Sequence, residues 1–257
     1  MDMPESANPF ALPRSCSHCR LGHLCLPRAC SFQELGLLDT IIGYQPPYPP
    51  KQRIFSQGSP FHSCYVVKSG SVKTVYVNEQ GEEKVLGFYL PSEMFGFEGI
   101  FRDSHTCSAI ALERTTICHI SFRNLEQLAT QLPSLQHWMF RMMSHELNIL
   151  EQLNRWLSQN SAEERIIGFL LDLSTRQSAR NLSPTRFRLA MNRSDIANFL
   201  GMALETVSRI LARLQRERLL DIRGREVIIN DLATLHRFKS TDDNANDGLN
   251  RHLIGIG

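Results

Sequence analysis

The sequence changes character once, at Pro133, and that change limits the folds open to it. Before it, from about Tyr48 to Phe122, short β-prone runs alternate with Gly and Pro. "CYVVKSGSVKTVYV" breaks at Ser69-Gly70, "KTVYVNEQGEEKVLGFYL" breaks at "NEQGEE", and "SAIALE" and "TTICHISF" follow. Strands with turns every eight to twelve residues predict a small antiparallel barrel or sandwich. After it, "SLQHWMFRMMSHELNILEQLNRWLSQ" runs 26 residues without Gly or Pro. Met139, Met143, Leu147, Leu150 and Leu157 recur at helical spacing, an amphipathic helix with a coiled-coil-like stripe. Such a stripe packs on its own body or on a second copy. The length favours a dimer, with Met143, Leu147, Leu150, Asn154 and Leu157 at the interface and Asn154 setting register.

Charge divides along the same line. Residues 1–160 carry 13 Lys+Arg against 14 Asp+Glu, whereas residues 161–240 carry 14 against 9, all but one of the fourteen being Arg. Arg presents a planar, multi-donor head suited to phosphates and guanine edges. "SAEE", Ser161 to Glu164, is a capping box opening a further apolar-periodic helix. In "MNRSDIANFLGMALETVSRILARLQRERLL", Asn192 or Ser194 caps a short helix that buries Ile196, Phe199 and Leu200. Gly201 makes a tight turn, and a second helix from about Ala203 to Arg216 buries Val207, Ile210, Leu211 and Leu214. The polar face of that helix suits a major groove. Arg209 can bind guanine bidentately, Glu205 can accept from a cytosine amino group, and Ser208 can approach a thymine. Ser194, Thr206 and Arg213 are expected on phosphates. "LDIRGREVIIN" predicts a hairpin wing turning at Arg223-Gly224.

The seven cysteines cannot all pair within one chain. The opening "MDMPESANPFALPRS" lacks the basic start and apolar core of a secretion signal. No apolar run is long enough to span a bilayer, so a cytoplasmic protein is expected. In a reducing compartment, clustered thiols are metal ligands or redox groups more often than disulfides. "CSHCRLGHLC" holds Cys16, Cys19 and Cys25, with Cys30 close behind. Spacing alone leaves open a zinc site, in which His18, His23 or Cys30 can replace a ligand, and an iron–sulfur cluster. Cys64 and Cys107 read as buried strand residues.

Two stretches resemble the Crp/Fnr family of transcription regulators: "LETVSRILARLQ" its recognition helix, and "GSPFHSCYVVKSGSVK" the start of its sensor barrel. Glu205, Ser208 and Arg209 match the E-x-x-S-R pattern of the oxygen-sensing Fnr branch. The resemblance implies an α+β fold. It would comprise an antiparallel β-barrel sensor domain like those that bind cyclic nucleotides, a long dimerisation helix and a C-terminal winged helix-turn-helix. It implies double-stranded DNA as partner, read by a homodimer at an inverted repeat with half-sites like TTGAT. That branch's C-x2-C-x5-C pattern, with a fourth cysteine in the last barrel strand, falls on Cys16, Cys19, Cys25 and Cys118. The implied cofactor is a [4Fe–4S] cluster, intact and DNA-competent without oxygen and lost in air, when the arm would be released. Zinc or thiol redox chemistry at the same cysteines is the alternative. The loop Asn78–Glu83, with Gly81 at its tip, resembles a surface that touches RNA polymerase. Glu98 resembles a sugar-binding carboxylate, but "SHTCSAIALE" offers no Arg for a cyclic phosphate, so no cyclic nucleotide is expected. Where the branch typically carries an aspartate in the dimer helix, this chain has Leu150, which implies a more persistent dimer.

The expected organisation is a cysteine-bearing arm over 1–30, the sensor barrel over 31–132 and the dimerisation helix over 133–160. The DNA-binding domain follows over 161–240, then a polar, disordered tail over 241–257. No nucleophile–base set or phosphate loop points to an enzyme.

Overall fold

The computed structural model describes residues 15–159 and 161–239. The expected disordered tail and the first residues of the arm lie outside the described residues. The arm forms three short 3-10 turns, Cys16–His18, Gly22–Leu24 and Leu26–Ala29. The sensor domain follows with α1 (Leu35–Ile41), β1 (Ile42–Tyr44), β2 (Arg53–Phe55), β3 (Ser63–Ser69), β4 (Val72–Val77), β5 (Glu83–Tyr89), β6 (Met94–Phe95), β7 (Ser108–Ala111), β8 (Thr116–Ser121) and α2 (Phe122–Gln131). Then come the long helix α3 (Pro133–Gln159) and α4 (Ala162–Ala179). The C-terminal part holds β9 (Arg186–Arg188), α5 (Arg193–Leu200), α6 (Leu204–Arg216), β10 (Leu220–Arg223), β11 (Glu226–Ile229) and α7 (Leu232–Lys239). Among the described residues no helix is long and apolar enough to cross a membrane.

The expected barrel is not closed. The sensor strands divide into two four-stranded antiparallel sheets, ordered β1-β8-β3-β6 and β2-β7-β4-β5. Their facing sides pack Tyr65, Val67, Phe95 and Ile117 of one against Phe55, Val72, Ala109 and Ala111 of the other. The edge strands β1, β2 and β6 are only two or three residues long, too short to carry a ladder around a closed, sheared cylinder. Turn-punctuated short strands encode barrel and sandwich alike; edge-strand length separates them.

The outer face of the β1-β8-β3-β6 sheet makes a second core. Cys64, Val66 and Ile120 meet Leu38 of α1, Leu125 and Leu128 of α2, Leu135 and Met139 of α3, and Leu26 of the arm. The long helix is therefore used in two ways. One face of its first turns, with Leu135 and Met139, is buried against its own sensor domain. Farther along, Met143 is half-buried and Leu147 and Leu150 are 63% and 57% exposed, an apolar stripe with nothing over it in one protomer. Near its end, Trp156 lies on α4 so closely that a β-carbon at Gly168 would collide with the indole ring.

The third core joins the C-terminal helices to the β4–β5 side of the sheets. Val75, Val85, Phe88 and Leu90 pack with Ile166, Phe169, Leu170 and Ile196. Ser161 and Glu164 form the expected capping box of α4, and Asn192 with Asp195 forms another on α5. Gly201 takes the left-handed conformation (φ 64°) that turns α5 into α6. The wing is a three-stranded sheet, β10-β11-β9. Its hairpin pairs Arg223 with Glu226, so the turn is Gly224-Arg225, one residue later than expected.

Candidate functional site

Cys118 is fixed by the sheet. It sits in β8 between Val66 of β3 and Tyr44 of β1. The other three thiols come from the arm, which the protein itself anchors. Asp39 of α1 accepts the Cys16 backbone N–H at 2.7 Å and the Ser15 hydroxyl at 2.6 Å. Leu26, beside Cys25, is 1% exposed in the second core, and the turn it begins lies against α3. Cys16, Cys19, Cys25 and Cys118 thereby line one cavity, walled by apolar side chains with Tyr44 and Lys68. Burial, then Asp39 and neighbouring thiols, pushes the Cys16 thiol up to about 12. Burial pushes Cys118 up to about 11 against the pull of Lys68, and burial raises Cys25 as well. These thiols are protonated at neutral pH, so metal must displace protons to bind.

The two metal chemistries make different demands on the donor set. A single zinc needs its sulfurs roughly 4 Å apart, set by Zn–S bonds of about 2.3 Å. Among the described residues, no three His, Cys, Asp or Glu side chains gather closely enough to hold one ion. Four thiols around one apolar cavity suit a cube, whose four irons each take one thiolate at separate corners. Cys30, His18 and His23 do not line the cavity. Arg20, His18 and His23 are exposed. Cys64 and Cys107 are buried, Cys64 within β3 and Cys107 just before β7.

The carboxylate of Glu98 is already occupied. His105 Nδ1 lies 2.8 Å from Glu98 Oε1. The ring is 2% exposed and stacks on Phe55 at 3.7 Å. Between the sheets, Tyr65, Val67 and Phe95 pack against Phe55, Val72 and Ala109.

On the reading head, Glu205 and Arg209 are exposed on α6, Ser208 and Thr206 are half-buried beside them, and Ser194 is exposed on the first turn of α5. Arg209 donates to Thr206 Oγ1 at 3.3 Å, which orients the guanidinium along the helix. Arg213 is paired with Glu163 at the start of α4, with Glu217 at 3.8 Å. A phosphate would have to compete with that pair. Gly81 takes φ 80° at the tip of the β4–β5 hairpin, braced by Asn78 Oδ1, which accepts the N–H groups of Gln80 and Glu82.

The interface of this head with the sensor left no pattern in the sequence. Asn198 of α5 pairs with the edge strand β5: its Oδ1 accepts Val85 N–H and its Nδ2 donates to the Glu83 carbonyl, both at 2.7 Å. Lys84 donates to the Asn198 carbonyl, Lys73 pairs with Asp195 at 2.6 Å, and Phe88 packs on Phe199 at 5.2 Å. Behind them Glu93 binds Arg176 of α4 and Arg180, the residue that caps its C-terminal end. Asp39, Lys68 and Asn198 each sit singly among ordinary neighbours, and only tertiary packing gives them partners.

Comparison with known proteins places this geometry. Residues 46–131 match the cyclic nucleotide-binding domain and residues 164–238 the Crp-like helix-turn-helix domain. The chain is 42% identical over 230 residues to the transcriptional activator protein Anr of Pseudomonas aeruginosa, covering 89% of this chain and 94% of that protein. It is 39% identical to the regulatory protein HlyX of Actinobacillus pleuropneumoniae, covering 86% and 92%. The structure of FixK2 from Bradyrhizobium japonicum superposes with a TM-score of 0.71 at 27% identity, covering 78% of this chain and 98% of that one. With relatives this similar over nearly the whole length, the chain belongs to the Crp/Fnr family of transcription regulators, in the branch of Anr and HlyX.

Proposed function

We propose that this chain is an oxygen-responsive transcription regulator that binds an inverted repeat of TTGAT-like half-sites as a dimer while an iron–sulfur cluster occupies the thiol cavity. One observation carries the reading: Cys16, Cys19, Cys25 and Cys118 line a single cavity beneath an arm that also touches the long helix. When bound, a [4Fe–4S] cluster supplies oxygen-labile redox chemistry that side chains lack.

The chain's own residues convert that chemistry into DNA binding. Cys25 and Leu26 are adjacent, so any strain on the Cys25 ligand is felt by a side chain wedged between α1, α2 and the first turns of α3. Shifting those turns moves the exposed Leu147 and Leu150 stripe against the partner copy. Trp156 then passes the motion to α4 at Gly168. A small shift is enough because packed elements have discrete arrangements rather than graded ones. Glu205, Ser208 and Arg209 read bases, and the β4–β5 hairpin at Gly81 faces RNA polymerase.

The test is binding of anaerobic protein to a duplex carrying two TTGAT half-sites. Binding is expected to weaken in air, and Arg209→Ala is expected to lose about 1–3 kcal/mol with relaxed preference at its base. Equal affinity for scrambled half-sites, or no effect of air, would refute the reading.

A further inference from the structure

We infer that Lys68 is the counter-charge of the cluster site, a positioning residue that fixes one positive charge at the wall of the thiol cavity. The inference rests on the cluster reading above. Three independent features support it.

The first is placement. The β3–β8 ladder pairs Val66 with Cys118 and Val67 with Ile117, then slips by one residue before Ser69. Lys68 is the extra residue at that bulge, and a bulge re-aims the side chain it carries. The second is confinement. Lys68 is only 9% exposed, so its side chain is held along the cavity wall rather than extended into solvent. Its Nζ stands 4.7 Å from the centre of the Tyr44 ring, and Tyr44 pairs across β1–β8 with Cys118 itself. The third is charge. A cube with a 2+ core and four thiolates carries net −2, and Asp39 adds a carboxylate at Cys16. The cavity wall is otherwise apolar: among the described residues lining it, Lys68 alone carries a cation. Negative charge in such surroundings is costly unless paired. The net charge around a cluster is one of the terms that set its potential.

Removing the cation therefore makes every more negative state of the site harder to reach. The test uses the full chain purified without oxygen. In a spectroelectrochemical titration an electrode supplies one electron, taking the core from 2+ to 1+ and the site from −2 to −3. Lys68→Met is expected to shift the midpoint to more negative potential and to speed loss of iron to a chelator on the order of tenfold. Lys68→Arg is expected to behave as wild type. A Lys68→Met protein that fails to load while Lys68→Arg loads supports the inference, since Arg keeps the positive charge that Met lacks. An unshifted midpoint in loaded Lys68→Met overturns it. So does an equal shift in both variants, or failure of both to load, because packing rather than charge would then be at work. Wild-type protein without iron and sulfide would instead remove the cluster reading, and this inference with it.

Discussion

Leu26 offers the sharpest test of how the arm is held. It is 1% exposed in a core shared by α1, α2, α3 and the outer face of the sheet. Truncating a buried leucine to alanine costs about 2–5 kcal/mol. The arm consists of short turns with exposed far sides, so it can settle into the vacated space, which puts Leu26→Ala near the lower end, about 2–3 kcal/mol. That is a factor of about 30 to 160 in the ratio of docked to undocked arm. The Cys16 amide reports it directly, since its N–H donates to Asp39 across the gap between arm and α1. Hydrogen exchange at that amide in cluster-free protein should accelerate by that factor, because local opening governs exchange of such sites. Unchanged exchange would mean that the cluster alone holds the arm and that the path from Cys25 to α3 through Leu26 is wrong.

Other consequences are equally specific. Asn198→Ala leaves Val85 N–H and the Glu83 carbonyl without their partner, and should weaken docking of the reading head by about 1–3 kcal/mol; unprotected exchange at Val85 would report it. Glu93→Gln strips the carboxylate from Arg176 and Arg180. A loss of about 2–3 kcal/mol of stability is expected, below the 3–5 of fully buried pairs because Glu93 and Arg176 keep some exposure. Burial raises the Glu93 carboxyl, but Arg176 and Arg180 pull it below the usual range. A depressed carboxylate contributes stability above its unfolded pKa and loses it as pH falls through the folded one. Wild type should therefore lose this contribution below about pH 4 while Glu93→Gln shows no such loss on acid unfolding. Leu150→Asp places a charge in the exposed stripe and should shift air-exposed protein towards monomer on gel filtration, where wild type stays dimeric through a few kcal/mol of apolar burial. Equal shifts would contradict the role given to Leu150.

What the sequence disclosed and withheld follows from range. Signals carried by neighbours along the chain were legible: the capping box at Ser161, a cap at Asn192 or Ser194 that the structure gives to Asn192, the tight turn at Gly201, and the Gly- and Pro-free run that became α3. The C-x2-C-x5-C spacing was legible too, because ligands three and six residues apart must approach one centre. Features made by distant strands were not. Whether short strands close or stack depends on edges, and β2 and β6 are too brief to announce themselves. β9 is three residues, "RFR", and reads as loop until β11 pairs with it. Arg213 looks like a phosphate ligand on a helical wheel, and only the fold supplies Glu163. Lys68 precedes an ordinary Ser-Gly turn; the bulge that places it at the cavity wall exists only in the paired sheet.

The central claim is that the four cysteines hold an oxygen-labile cluster. Iron, acid-labile sulfide and zinc should be measured on anaerobically purified protein, with a visible spectrum before and after air. The account predicts about four irons and four sulfides per chain, with a broad visible absorbance that bleaches in air. Zinc alone, with a spectrum indifferent to air, would contradict it and make the thiol cavity a structural clasp.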